Sequence, residues 1–301
     1  MKTRYAVALK GTLLLVTFMT CLTVLSRAAG AADLDDVKQR GVLRHLGIPY
    51  ANFVTGTGDG MDVELTRMFA DYLGVKYEYV ATDWGTVVPD LIGKKVKVKG
   101  AEVEFLEEVP VKGDMIANGF TILPWRQKVV NFSNPTFPSQ VWLIARADAA
   151  VTPIKPTGDN DKDIEATRAL MKGKAVMTLE KTCLDPSLYD FQAAGAEAIL
   201  FKGKLNELAP AIINNEAEMT ILDVPDALVA LGKWPGKIKI IGPVSKKQEM
   251  GAGFTKDAPK LLAEYNKFLG KIQHDGSYMK VVKKYYPSAT QYFPDFFSGL
   301  Q

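Results

Sequence analysis

Two successive series of alternating strand-type and helix-type segments constrain this chain more than any single motif. Residues 42–48 read as a first strand that ends in a loop at Pro49 and Tyr50. Over 61–73, Leu65, Met68, Phe69 and Leu73 recur at helical spacing, and Gly74 supplies a stop. Val75, Tyr77 and Tyr79 then alternate as a strand. A second helix is expected over 86–91, with Pro89 in its first turn, where a missing N–H leaves no intrahelical bond unmade. An extended segment at 115–119 completes a β-α-β-α-β unit, the pattern of a mostly parallel sheet with helices on both faces.

The second series repeats the pattern. Helices are expected at 164–171, 188–194, 205–214 and 225–231, and strands at 174–179, 198–201, 219–222 and 238–241. Between the two series lie a long apolar strand at 141–146 and a polar loop at 152–163. The chain is expected to return to the first unit at 251–254, followed by closing helices at 259–273 and 277–286. Two crossings near Ile144 and Met250 would make a hinge beneath a cleft. The expectation is an α/β protein of two lobes joined by a two-strand hinge. Lobe 1 would span 32–145 and 246–301, and lobe 2 would span 146–245.

Residues 1–31 read as a secretory signal peptide. Lys2, Arg4 and Lys10 precede a nearly uncharged apolar run at 11–25, too short for a comfortable membrane span, and A-G-A at 29–31 is a cleavage site. An uncleaved anchor is the alternative, and lipid attachment at Cys21 fits poorly because Thr20 precedes it. The leader holds four of the 37 basic residues and no acidic one, which leaves 33 basic against 34 acidic residues. The basic pI is therefore largely a leader effect and gives no reason to invoke nucleic acid. One cysteine, Cys183, remains, so no internal disulfide forms. His45 and His274 lack ligand-spaced partners, and no metal or other cofactor is implied. About 270 residues after the leader exceed the usual size of a single core, as two lobes require.

Arg126 ends the stretch A-N-G-F-T-I-L-P-W-R at 117–126. A small hydroxyl, Thr121, lies five residues before it. Such a pair at a strand end can clamp a carboxylate, which guanidinium binds through two parallel hydrogen bonds. A solvated surface arginine is the bland alternative.

Residues 40–287 resemble family 3 solute-binding proteins of bacterial ABC importers. The resemblance rests on an ordered set: G-M-D-V-E-L at 60–65, D-W-G-T-V-V-P-D-L at 83–91, Thr121 to Arg126 followed by V-N-F-S-N-P, and H-D-G-S-Y at 274–278. It implies a type II periplasmic-binding-protein-like fold, a monomer, an amino acid or similar carboxylate as ligand, and an ABC permease as partner. Arg126 and Thr121 would hold the α-carboxylate, Asn118 and Gly119 would meet the α-amino group, and Tyr50 and Trp84 would form aromatic walls. In lobe 2, Lys181, Thr182 and Cys183 would complete the carboxylate site at a helix N-terminus, and Asp223 would pair with the α-ammonium. Helix capping by Asp223, core packing of Tyr50 and Trp84, and inert packing of Cys183 remain open.

Residues 95–112 depart from the family pattern and are expected to form an extra hairpin or flap, with a solvated excursion as the alternative. Trp125 replaces a polar residue of the pattern. A competing reading is an enzyme on the same fold, a cyclohexadienyl-type dehydratase, with Glu180 or Asp185 as general acid. A ligand-sensing accessory protein is a further alternative.

Overall fold

The computed structural model describes residues 32–56, 58–99, 102–180 and 182–300. The expected leader at 1–31 and Lys181 lie outside the described residues. The chain runs α1 (Leu34–Arg40), β1 (Val42–Gly47), α2 (Met61–Leu73), β2 (Lys76–Ala81), α3 (Val87–Ile92), β3 (Lys94–Lys99), β4 (Glu102–Glu108), β5 (Met115–Ile116), α4 (Pro124–Val129) and β6 (Val130–Phe132). It continues through β7 (Phe137–Ser139), β8 (Val141–Arg146), α5 (Asn160–Leu170), β9 (Ala175–Thr178), β10 (Glu197–Leu200), α6 (Leu208–Ile213), β11 (Met219–Asp223), α7 (Val224–Lys233) and β12 (Ile238–Pro243). It closes with β13 (Gln248–Met250), β14 (Gly253–Thr255), α8 (Pro259–His274), α9 (Ser277–Tyr285), α10 (Ala289–Tyr292) and α11 (Pro294–Phe297).

Local chemistry explains most of these boundaries. The Asp33 side chain caps α1, accepting from the backbone N–H of Leu34. Leu65 and Phe69 bury the apolar stripe of α2, and Gly74, at φ 72°, ends that helix in the left-handed region that glycine tolerates. Pro124 opens α4 and Pro259 opens α8, each where a missing N–H costs nothing.

The first sheet has the order β2-β1-β5-β14-β6, with β1 parallel to β2 and β5, and β14 antiparallel to β5 and β6. The second has the order β10-β9-β11-β8-β12, with β9 parallel to β10 and β11, and β8 antiparallel to β11 and β12. Each sheet therefore holds one antiparallel strand in the same place, set by the segment that crosses over. The crossings pair as a short ribbon, with Ser139 opposite Gln248 and Phe137 opposite Met250. This ribbon is the two-strand hinge.

Three features differ from the sequence expectation. Residues 141–145 were expected to close lobe 1, but β8 lies inside the second sheet, whose flanking strands hydrogen-bond to both of its edges. The helix expected at 188–194 is a single 3-10 turn, Pro186–Leu188, followed by turns. Asp190, at φ 50°, breaks any helical continuation there. The helix expected at 205–214 divides into a 3-10 turn, Leu205–Glu207, and α6.

The 95–112 departure is a real hairpin. β3 and β4 pair antiparallel, with Val98 opposite Val103 and Lys97 opposite Glu104. At the other end of the chain, α10 and α11 pack across the hinge. Phe293 stacks on Trp142 of β8 at 6.5 Å between ring centroids, and Phe297 meets Phe137 of β7 at 6.0 Å.

Candidate functional site

Parallel α/β sheets present ligands with the loops beyond the carboxyl ends of their strands. Tyr50 follows β1, Trp84 follows β2, and Asn118, Gly119 and Thr121 follow β5. In the second lobe, Thr182 and Cys183 follow β9, and Asp223 is the last residue of β11. Both lobes thus aim their strand ends at one place.

Arg126 sits in the first turn of α4, and not at a strand end as the sequence suggested. Its side chain is only 3% exposed. Nη1 donates to the Thr121 carbonyl at 2.9 Å, so the five-residue spacing serves to aim the guanidinium through the backbone. Aromatic rings enclose it: Phe120 at 4.2 Å, Trp125 at 5.4 Å and Trp84 at 5.7 Å from the guanidinium carbon to the centroid. Nε has no hydrogen-bond partner within the protein. Burial pushes the Arg126 pKa down to about 10, which leaves it cationic at neutral pH.

Asp223 is fully buried at the other side. It stands at the N-cap position of α7, yet its side chain makes no capping hydrogen bond. Instead Oδ2 accepts the Cys183 thiol at 3.0 Å, and Oδ1 has no partner. Burial raises its carboxyl pKa. Asp226, one helical turn on, is also buried, with Oδ2 unpartnered, and its pKa is pushed well up by burial and then by the Asp223 charge. The sequence reading missed Asp226, because acidic residues in a first helical turn normally face water and favour the helix dipole. Its spacing of three from Asp223 was the available signal.

Tyr50 is buried, and its hydroxyl has no partner. Burial and then the Asp223 carboxylate raise its pKa far above the usual phenol value. Trp84, half-buried, meets Tyr50 edge-on at 5.7 Å. Both rings pack on the core, and Trp84 also lies against the Arg126 guanidinium. Asn118 is fully buried, and neither polar atom of its amide has a partner. Buried polar atoms are normally paired. Arg126, Asp223, Tyr50 and Asn118 thus each carry a buried polar atom without a hydrogen-bond partner.

Gly119 has a different role. Its N–H donates to Asp62 Oδ2 at 2.6 Å, so that group is already engaged. At φ 66°, a Cβ here would lie 2.4 Å from the Phe53 ring and 2.8 Å from Tyr50. Asp62, another residue missed from sequence, thus anchors the loop that carries Asn118 and Thr121. The Thr182 hydroxyl donates to the Leu179 carbonyl and accepts the Leu184 N–H, which holds the turn. The expected helix N-terminus behind Thr182 and Cys183 is missing, since only the 3-10 turn follows. Cys183 is buried, with burial the first cause of its raised pKa.

Of the general-acid candidates, Glu180 is exposed, and Asp185 accepts from the backbone and hydroxyl of Ser187. His45 is a packing residue, buried between Tyr77 and the Ala117 carbonyl.

Two α/β lobes with inserted antiparallel strands, a paired hinge and strand ends converging on opposite charges define a type II periplasmic-binding-protein fold. Residues 109–288 match the family model for bacterial extracellular solute-binding proteins, family 3, and the chain belongs to that family. It is 25% identical to the lysine/arginine/ornithine-binding periplasmic protein of Escherichia coli (strain K12), over 75% of this chain and 78% of that one. It is 24% identical to the membrane-bound lytic murein transglycosylase F of Desulfosudis oleivorans, over 75% of this chain but 44% of that one. A crystal structure of a mutant ArgBP from T. maritima aligns with TM-score 0.65 and 24% identity, covering 84% of this chain and 99% of that one.

Proposed function

We propose that this protein binds an α-amino acid between its lobes outside the inner membrane, after loss of residues 1–31, and delivers it to an ABC permease. Arg126 takes the α-carboxylate. Asp223 takes the α-ammonium, and Tyr50 and Trp84 wall the site. One observation carries the reading: the lobes oppose a buried cation with an unpartnered Nε and a buried carboxylate with an unpartnered Oδ1. A zwitterion supplies the missing partner to each, and an unpaired buried charge costs several kcal/mol. A ligand held by both lobes stabilises the closed arrangement about the β7–β13 hinge. The ligand-binding names of relatives such as the lysine/arginine/ornithine-binding protein support the same class of ligand.

Thermal denaturation in the presence of each proteinogenic amino acid in turn tests this. At least one should raise Tm, and the rise should vanish in Arg126→Ala. No rise with any of them would contradict the proposal.

A further inference from the structure

The hairpin formed by β3 and β4 borders a cavity of about 490 Å³. Its walls come from four places. Val96, Val98 and Leu106 line it from the hairpin, Trp84 from the loop after β2, Trp125 from α4, and Thr182 and Leu188 from the second lobe, with Lys97, Asp185 and Ser187 at polar positions of the wall. Trp84 and Thr182 also belong to the amino-acid cleft, so the cavity begins where that cleft ends.

The hairpin packs beside this space. Lys112 pairs with Asp90 of α3 at 2.9 Å, and Lys128 of α4 pairs with Glu102 at 2.9 Å. Val96 and Val103 pack with Trp84 and Trp125 against the core beneath the first sheet. The hairpin nevertheless leaves Val98 39% and Leu106 41% exposed. Apolar side chains held at the rim of a cavity with two indoles in its wall are arranged to cover an apolar group.

We propose that the hairpin builds a second subsite, continuous with the amino-acid site, that accepts a flat apolar side chain of aryl size. The proposal rests on the amino-acid reading of the cleft and names the class of ligand within it. The indole of Trp84 serves both parts, flanking the guanidinium on one side and the side-chain space on the other. Leu188 lies on the second lobe, so closure about the hinge completes the wall. A small amino acid would use Arg126 and Asp223 and leave the hairpin untouched. A large aromatic one would engage all three elements.

Calorimetry with L-alanine and L-tryptophan as probes tests this on the full-length mature protein, Val98→Asp and Leu106→Asp. Both positions are partly exposed, and Tm confirms the fold of each variant. The wild type should bind L-tryptophan at least about tenfold tighter than L-alanine, as a filled apolar pocket allows. Each aspartate should weaken L-tryptophan about tenfold by placing a charge against the apolar group, while L-alanine stays within about twofold. L-tryptophan binding no tighter than L-alanine, or unchanged in both variants, overturns the subsite. So does an equal loss of both probes. Arg126-dependent binding of L-alanine in those cases leaves the amino-acid reading standing. Failure of every proteinogenic amino acid to bind the wild type would overturn both.

Discussion

The Cys183 thiol donates to Asp223 Oδ2 at 3.0 Å, while Oδ1 of the same carboxylate has no partner. On the proposed reading, the thiol holds half of a carboxylate whose other half receives the ligand ammonium. Cys183→Ala should lower the Tm of the ligand-free protein, by the equivalent of about 1–3 kcal/mol for an unmade buried hydrogen bond. A bound ammonium supplies a donor again, so the rise in Tm with saturating ligand should exceed that of the wild type. Cys183→Ser keeps a donor and should stay near wild type. Denaturation scans with and without ligand check all three.

Arg126→Ala should cost about 100-fold or more in affinity, because it leaves the ligand carboxylate desolvated without its partner. The free protein should not be destabilised, since the guanidinium is buried with Nε unsatisfied and its own desolvation is a burden. Arg126→Lys keeps the charge but loses the planar fork and should fall between the two. Calorimetry and Tm on the same preparations separate binding from folding.

Asp62 and His45 pull the acid stability of the fold in opposite directions. Burial raises the Asp62 pKa to about 7, so its contribution is complete below the unfolded value of 3.8 and is lost as pH rises through 7. Burial lowers the His45 pKa to about 4, so its contribution is present above 6.5 and is lost as pH falls toward 4. The two largely offset each other between pH 4 and 6.5. Asp62→Asn removes one side of the balance. The stability of the wild type relative to this variant should shrink by about 1.4 kcal/mol per pH unit as pH rises from 4 to 7. Denaturant titrations at pH 4.5, 5.5 and 6.5 measure that slope, and a constant difference would contradict the assignment.

Gly119→Ala combines a strained left-handed φ with a Cβ driven into Phe53 and Tyr50. The strain alone costs about 1–3 kcal/mol. The variant should lose both stability and affinity, because displacing Tyr50 disturbs the cleft wall. Affinity unchanged in a destabilised protein would show that the Tyr50 ring is not part of the site.

Periodic apolar spacing made the parallel strands, α2 and the closing helices legible in the sequence, because each buries one stripe against its own sheet. The failures are places where tertiary contacts decide. Residues 188–194 look helical by spacing, but Pro186 and the left-handed Asp190 leave only turns. The strand at 141–146 is apolar enough to be placed anywhere in a core, and only its pairing with β11 and β12 shows which lobe owns it. Arg126 could be found from its motif, but not the helix that aims it. Asp223 looks like a helix cap in sequence, since aspartate is favoured there for local reasons. Its true partner, Cys183, lies 40 residues away. Asp62 and Asp226 were missed because an acidic residue in a first helical turn normally faces water, and only the spacing of three from Asp223 hinted that Asp226 is buried.

The central claim is that Arg126 and Asp223 hold the two ends of one zwitterion. The most direct measurement is calorimetry of the best-binding amino acid and its des-amino analogue, each against the wild type and Asp223→Asn. The wild type should prefer the amino acid, and Asp223→Asn should lose affinity for it by about 30-fold or more while changing little toward the des-amino acid, as expected for a desolvated charge pair. Equal losses for both compounds would contradict the account and would place the ammonium away from Asp223.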